Sequence, residues 1–310
     1  MKKFLLATAA LCMALSAMAQ DFSQAVETFN NAAQTENKTE ALALFQQAYT
    51  QFQACQEAEA AEKVEELKNI LPTYTLSIAK DLIEDKNNEA AIPYLEQTAA
   101  YGQEFGLEDK VAEAKDLTGF VYKRLGKNAL AAKDAAGAFS NLKKAVEFTP
   151  ADGEAQFLLG RLYMSSGKMD EAKAAFAIAS ENGQAEKVQK QLFNFYYIAG
   201  QKKQQAKQYA AAVEDFQAAL EADPSPDKLA IYYKMGICYG ALGKKADQNE
   251  ALKKYCELDA AAAANDNILL TIAQNAVSLK DNDTAREYYT KLAGSANPDF
   301  AKEAKAFLSK

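Results

Sequence analysis

Histidine is absent from the 310 residues of this chain. Histidine is the commonest general base in enzymes and a frequent ligand of transition metals. Its absence excludes Ser-His-Asp and Cys-His catalytic sites and His-x-x-x-His metal sites. The chain also lacks a Gly-rich phosphate-binding loop and a dinucleotide-binding fingerprint. A hydrolase built on two carboxylates needs a pair distinct from ordinary surface charge, and no pair here is distinct. We therefore expect a protein that is not an enzyme and needs no cofactor or metal.

Strand-like runs of β-branched residues are also missing, while alanine, a strong helix former, is frequent. The 35 basic side chains are outnumbered by 42 acidic ones, which gives a net charge of −7. An acidic protein binds nucleic acid only through a local basic patch. The one basic cluster, Lys202, Lys203 and Lys207, is most simply a solvated helix face. We expect no nucleic-acid partner.

Residues 1–19 have the pattern of a secretory signal peptide. Lys2 and Lys3 supply the positive charge, an apolar core follows, and a small-x-small cleavage site predicts cleavage between Ala19 and Gln20. No later stretch approaches the about 18 apolar residues of a membrane-spanning helix. The sequence therefore predicts an exported protein with no transmembrane span in the mature chain, located in the periplasm or, alternatively, secreted from the cell.

The pattern Gly-x-x-Tyr-x-x-x-Gly occurs three times. Its first glycine belongs to a longer register of small residues, spaced 36 to 41 residues apart: Ala79, Gly119, Gly160, Gly200, Gly236 and Ala273. A small residue there lets two helices approach closely, and the tyrosine fills the seam beside it. The second glycine suits a helix end, because glycine tolerates the left-handed conformation. A unit recurring every few tens of residues indicates stacked helical repeats.

A second amphipathic segment follows each copy, as in Ala172-x-x-x-Phe176 and Ala212-x-x-x-Phe216. Together the two segments resemble the tetratricopeptide repeat family, with a small residue at place eight, Tyr at eleven, Ala at twenty and an aromatic residue at twenty-four. The resemblance implies an all-α protein, an α-solenoid in which antiparallel helix hairpins form a right-handed superhelix with a concave binding face. The mature chain 20–310 is then a single solenoid of this kind.

The expected hairpins lie near 22–55, 72–105, 112–152, 153–186, 193–226, 229–262 and 266–299, and a capping helix is expected at 298–308. The first hairpin is divergent. In 112–152 the register places about seven extra residues, around Asn128–Ala135, between the two helices. Cys238 and Cys256 fall on the two helices of one hairpin. A disulfide between them is possible, but two buried thiols are the favoured interpretation.

The resemblance also indicates a binding surface, because places two, five, nine and twelve of each first helix line the family's concave face. Place five holds Phe157, Tyr197, Tyr233 and Leu270 in consecutive units, and place nine adds Phe120 and Arg161. An exposed apolar stripe of this kind usually marks a partner site, although the same residues could instead pack against the neighbouring unit. We predict a scaffold that binds a protein or peptide in the cell envelope. The alternative is a carbohydrate- or small-molecule-binding protein that uses the groove aromatics.

Overall fold

A computed structural model describes residues 21–224 and 229–309. Within these ranges the chain forms helices joined by turns, with no strand. This confirms the all-α fold expected from the sequence. The predicted signal peptide and its cleavage site at Ala19 and Gln20 lie outside the described residues. The chain divides into two compact units that meet in sequence at Gly183 and Gln184.

The N-terminal unit consists of helices packed in consecutive pairs. They are α1 (Phe22–Gln34), α2 (Lys38–Ala54), α3 (Ala58–Glu84), α4 (Asn88–Phe105), α5 (Glu108–Ala131), α6 (Ala135–Phe148), α7 (Gly153–Ser165) and α8 (Met169–Ala179), followed by a π-helical segment, Ser180–Gln184. The expected hairpin 72–105 is longer than its register, because α3 begins at Ala58 and contains Pro72 in its interior.

The C-terminal unit continues the same succession of hairpins. It contains α9 (Ala185–Gln205), α10 (Tyr209–Ala222), α11 (Ala230–Ala241), α12 (Lys245–Leu258), the single turn α13 (Ala260–Ala263), α14 (Asp266–Leu279), α15 (Asn282–Leu292) and α16 (Pro298–Leu308). Helix α16, whose N-cap is Asn297, occupies the range of the expected capping helix. That both units form one continuous solenoid stays a prediction.

Close contact at a small residue holds each of these hairpins together. A Cβ atom built on Gly160 would lie 2.8 Å from the ring of Phe176. A Cβ atom on Gly236 would lie 2.7 Å from the side chain of Leu252. Carbon atoms do not approach so closely, so each glycine marks a place where the second helix fills the space of a side chain. The packing role that the sequence predicts for Gly160 and Gly236 is confirmed.

The register of the third hairpin differs from the sequence prediction. Phe176 and Leu252 each follow their glycine by 16 residues, and the residue that stands 16 before Leu142 is Gly126, not Gly119. A Cβ atom on Gly126 would lie 2.6 Å from Leu142, whereas one on Gly119 would meet Thr149 beyond the end of α6. Gly126 is therefore the small residue of this hairpin, lies buried inside α5 and does not end the helix.

The expected insertion around Asn128–Ala135 is accordingly wrong. Helix α5 runs to Ala131 and only residues 132–134 separate it from α6, so the additional length lies at the start of α5. The error has a geometric cause. Gly119 and Gly126 are seven residues apart, which is close to two helical turns, so both lie on one face of α5 and fit the same pattern.

Each hairpin turn contains one residue in the left-handed conformation, seven residues after the small residue. Two of these turn residues are glycines, Gly167 and Gly243, as the pattern predicts for a helix end. The others are lysines, at φ between 59° and 63°: Lys86, Lys133, Lys207 and Lys280. A side chain with a Cβ atom is strained in this region, so the lysine turns hold conformational energy that the glycine turns do not.

The first hairpin achieves the same packing with bulk in place of a small residue. Phe29 of α1 lies with its ring centroid 5.6 Å from that of Phe45 on α2, edge to face. Phe52 of α2 is almost fully buried and contacts Phe22 and Phe29. Two aromatic residues therefore fill a seam that elsewhere closes over glycine or alanine, which accounts for the divergence of this hairpin in sequence.

We predict that replacing Gly160 or Gly236 with Leu forces the helices of its hairpin apart and lowers the free energy of unfolding by about 1–3 kcal/mol or more, the range for overpacking. Equilibrium urea unfolding followed by circular dichroism measures this change. Gly294→Leu is the matched control, because Gly294 is exposed and a Cβ atom added there would meet no neighbouring atom within 4 Å. Unchanged stability in both hairpin variants would contradict the register.

We also predict that Lys133→Gly stabilises the protein by about 0.5–1 kcal/mol. The left-handed strain of about 1–2 kcal/mol is relieved, and the greater chain entropy of unfolded glycine offsets part of the gain. Gly243→Ala, the reverse change at the equivalent turn, should destabilise the protein by about 1 kcal/mol. Thermal unfolding of the two variants beside the parent chain tests both signs, and two shifts in the same direction would refute the assignment.

Candidate functional site

An open groove of about 490 Å³ lies in the C-terminal unit, where α11, α12, α13 and the first turns of α14 come together. Helix α11 contributes Tyr233 and Ile237, and α12 contributes Gln248 and Tyr255. The floor includes Gly236 and Leu252, the two residues in close contact. The volume falls in the range of ligand-binding pockets. We take this groove as the candidate site.

Two tyrosines form one wall of the groove. Tyr233 is 41% exposed, and its ring centroid lies 5.5 Å from that of Tyr255 at an angle of 38°. The contact between Gly236 and Leu252 brings α12 close to α11, and Tyr255 lies one turn beyond Leu252 on the same side of α12. The small residue of the hairpin therefore also determines where the two rings meet.

A carboxylate lies beside this aromatic wall. Asp259 is the N-cap of α13, and its Oδ1 accepts hydrogen bonds from the backbone N–H of Ala261 at 2.8 Å and of Ala262 at 3.4 Å. Burial raises the pKa of the Tyr255 phenol, and the negative charge and hydrogen bond of Asp259 raise it further. Tyr255 therefore stays a neutral hydroxyl donor, and the charge at this end of the groove is carried by Asp259.

Buried amides fix the base of the groove. Asn275 of α14 donates from Nδ2 to Gln248 Oε1 at 2.8 Å and to Asn249 Oδ1 at 3.0 Å. Asn249 in turn donates to the backbone oxygen of Ile272 at 3.0 Å. Because Asn249 and Asn275 are both less than a tenth exposed, these bonds form away from competing water. They hold α12 against α14 and orient Gln248 at the groove.

Of the residues predicted to carry binding in the C-terminal unit, Tyr233 is the one at the groove. Tyr197 is half-buried: its ring stacks on Phe193 at 5.5 Å and lies 6.0 Å from that of fully buried Phe216. Leu270 is also half-buried and packs against the core formed by α14, α15 and α16. Tyr197 and Leu270 therefore contribute to packing within their hairpins.

The predicted residues of the N-terminal unit pair with arginines. The guanidinium of exposed Arg161 lies 5.9 Å from the ring centroid of half-buried Phe157. Phe120 is 39% exposed, and Arg124 covers its ring at 5.5 Å while donating to the backbone oxygen of Ile83. Because Phe157 belongs to one unit and the other predicted residues of place five to the other, a continuous binding ladder stays a prediction.

Four further residues line the groove and were not predicted from the sequence: Tyr255, Asp259, Gln248 and Thr271. None of them occupies the places from which the family's concave face was predicted, since most lie on the second helix or in the following turn. One signal was available for Asp259: an aspartate directly before four alanines is a typical N-cap followed by a helical turn.

The two cysteines of this hairpin are free thiols, so the disulfide considered from the sequence is wrong. Cys238 is fully buried in the core between α10, α11 and α12, whereas Cys256 packs toward the C-terminal core and lies 3.5 Å from the backbone oxygen of Ala262. Burial raises the pKa of both thiols. They act as small apolar groups of the packing.

Residues 21–224 and 229–309 contain no helix that is long and apolar enough to cross a membrane. In the same part of the chain, no three acidic or cysteine side chains gather as a metal ion would require. The fold and the groove together define a helical-repeat protein with a binding surface.

Comparison with known families identifies the repeat. Tetratricopeptide repeat profiles match residues 129–192 and 193–226. The chain is therefore a member of the tetratricopeptide repeat family, whose repeats act as scaffolds for protein–protein interaction. The matched segment ends before α11, so the groove lies in repeats that depart further from the family pattern. No curated protein sequence matches the chain.

Solved structures with a similar arrangement are distant. PilF of Pseudomonas aeruginosa is 18% identical over 63% of this chain and 89% of its own, with a TM-score of 0.30. YrrB, described as a TPR protein with an unusual peptide-binding site, is 17% identical over 60% and 91%, also with a TM-score of 0.30. The TPR domain of P58(IPK) is 13% identical over 93% and 98%, again at 0.30. Likenesses this weak do not bear on the partner of this chain.

Proposed function

We propose that this protein is an exported scaffold of the cell envelope that binds a segment of a partner protein in the groove between α11, α12 and α14. The observation that carries the proposal is the exposed apolar surface at the groove. Tyr233 and Ile237 are 41% and 42% exposed, one turn apart on α11. Contiguous exposed apolar side chains beside a concave surface are typical of a partner site.

Polar groups bordering this apolar surface favour a peptide. Gln248, Asn267 and Thr271 supply amide and hydroxyl groups, which can pair with the backbone of an extended segment. Exposed apolar surface also continues beyond the groove, at Leu242 after α11 and at Val277 on α14. A bound segment longer than a small ligand would cover more of it.

A carbohydrate or small molecule is the second candidate ligand. The exposed ring of Tyr233 offers a face for stacking, and the neighbouring amides and Asp259 offer hydrogen-bonding partners at its edge. The enclosed volume of about 490 Å³ would accommodate such a ligand. A ligand of this kind would leave Leu242 and Val277 bare, which is why we prefer the peptide.

Export to the periplasm, or alternatively secretion, rests on the signal-peptide pattern of residues 1–19. Three features agree in that segment: the positive start, the short apolar core and the small residues before Gln20. A scaffold in this compartment would meet partners among envelope or secreted proteins.

The double variant Tyr233→Ala, Ile237→Gln should weaken partner binding by about 2–4 kcal/mol, the scale of interface hot spots, while the fold remains. The partner is first captured in cells by a photo-crosslinking phenylalanine at position 237, and its affinity for purified 20–310 is then measured. Leu279→Gln is the matched control, an apolar side chain 45% exposed that does not line the groove.

Two outcomes would decide against this proposal. Equal affinity of the double variant and the parent chain would place the interface elsewhere. If digestion of the extract with protease leaves groove-dependent binding intact, the ligand is a carbohydrate or small molecule and the second candidate function holds. Thermal unfolding of each variant identifies any loss of binding that results from loss of the fold.

We predict that the protein recovered from the envelope fraction begins at Gln20. Expression of residues 1–310 in a bacterium and intact-mass measurement of the purified chain test this directly. Ala19→Arg removes the small residue that the signal peptidase requires, so that variant should keep residues 1–19. Recovery of the parent chain at full length in the cytoplasm would refute export.

A further inference from the structure

We propose that the groove recognises an arginine side chain of the partner, with the guanidinium seated against Tyr233 and Tyr255 and paired with Asp259. This inference rests on the proposed peptide-binding function and names the chemistry of the segment that is bound. It is carried by three features of the groove: its charge, its aromatic wall and its hydrogen-bond acceptors.

The charge of the groove is negative and uncompensated within its walls. Among the described residues that line it, Asp259 is the one charged side chain, and no lysine or arginine is present. The cap on α13 fixes the carboxylate in position, since two backbone N–H groups bind its Oδ1. A fixed carboxylate in a groove without cations selects for a positively charged ligand group.

The aromatic wall adds attraction for a cation. A guanidinium positioned over a tyrosine ring within about 6 Å is favoured by the negative face of the ring. The chain uses this contact elsewhere, where Arg161 lies 5.9 Å from the Phe157 centroid and Arg124 lies 5.5 Å from that of Phe120. Tyr233 is 41% exposed, so its ring is open to a ligand in the same way.

The acceptors favour arginine over lysine. A guanidinium is planar and carries five N–H donors, whereas an ammonium is a compact charge with three. The carboxylate of Asp259, the amide oxygens of Gln248 and Asn267 and the hydroxyl of Thr271 border one groove. A flat group that stacks on a tyrosine can direct its edge toward several of these acceptors together, which a lysine side chain cannot.

The test uses capped tripeptides, acetyl-Gly-Arg-Gly-amide and the same peptide with citrulline, which has nearly the shape of arginine but no charge. Each is titrated into purified 20–310 at low salt, and the backbone amide resonances of Ile237 and Thr271 are followed by NMR. We expect saturable shifts with the arginine peptide in the millimolar range and a dissociation constant at least about tenfold larger for citrulline. A lysine peptide should bind about fivefold more weakly than arginine.

Asp259→Asn is the informative variant, because asparagine caps a helix as well as aspartate does and only the charge is lost. It should weaken the arginine peptide about tenfold and leave the citrulline peptide unchanged. Glu257→Gln is the matched control: this nearby carboxylate is exposed, pairs with Lys254 at 3.1 Å and does not line the groove. It should leave both affinities unchanged.

Several results would overturn the proposal: no shift at Ile237 and Thr271, equal affinity for citrulline or lysine, or equal affinity of Asp259→Asn and the parent chain. These failures remain distinct from failure of the proposed function. If Tyr233→Ala, Ile237→Gln abolishes capture of the protein partner while Asp259→Asn does not, the groove binds a peptide and the arginine assignment is rejected.

Discussion

The structure depends on one contact, the seating of a large side chain of the second helix over a small residue of the first. Where that residue is glycine, as at Gly126, Gly160, Gly200 and Gly236, an added Cβ atom would lie 2.6 to 2.8 Å from a neighbouring side chain. This spacing sets how near the two helices of a hairpin lie. It also sets the turn, because the left-handed residue follows seven positions after the small one. The hairpins are thus copies of one packing solution with different residues in it.

The same contact gives rise to the groove. Gly160 and Gly200 seat phenylalanines, Phe176 and Phe216, whereas Gly236 seats Leu252. A leucine covers less of the adjoining surface than a phenylalanine ring does, and Leu252 lies in the floor of the groove. The replacement of an aromatic residue by leucine at this position therefore leaves the space that Tyr233 and Tyr255 border.

The sequence predicted the class of fold and most helix pairs, because small residues, alanines and aromatic residues recur at fixed spacing. It misplaced the third hairpin, since Gly119 and Gly126 lie on one helix face and either fits the pattern. It predicted the position of Tyr233 but not which other residues join it. Tyr197 and Leu270 share its place in the repeat, and their burial depends on neighbours such as Phe193 that the repeat pattern does not specify.

Tyr255 and Asp259 could not be predicted as groove residues for a related reason. Their role comes from a local departure: α12 is followed at once by the short helix α13, and the Asp259 cap brings a carboxylate next to an aromatic pair. Residues 129–226 match the family profiles, and there the place-five aromatics Phe157 and Tyr197 are half-buried against core phenylalanines. Beyond that segment the packing residue is smaller and a turn is added. Where the repeat follows its consensus, its side chains are occupied in stacking, and where it departs, side chains become available to a ligand.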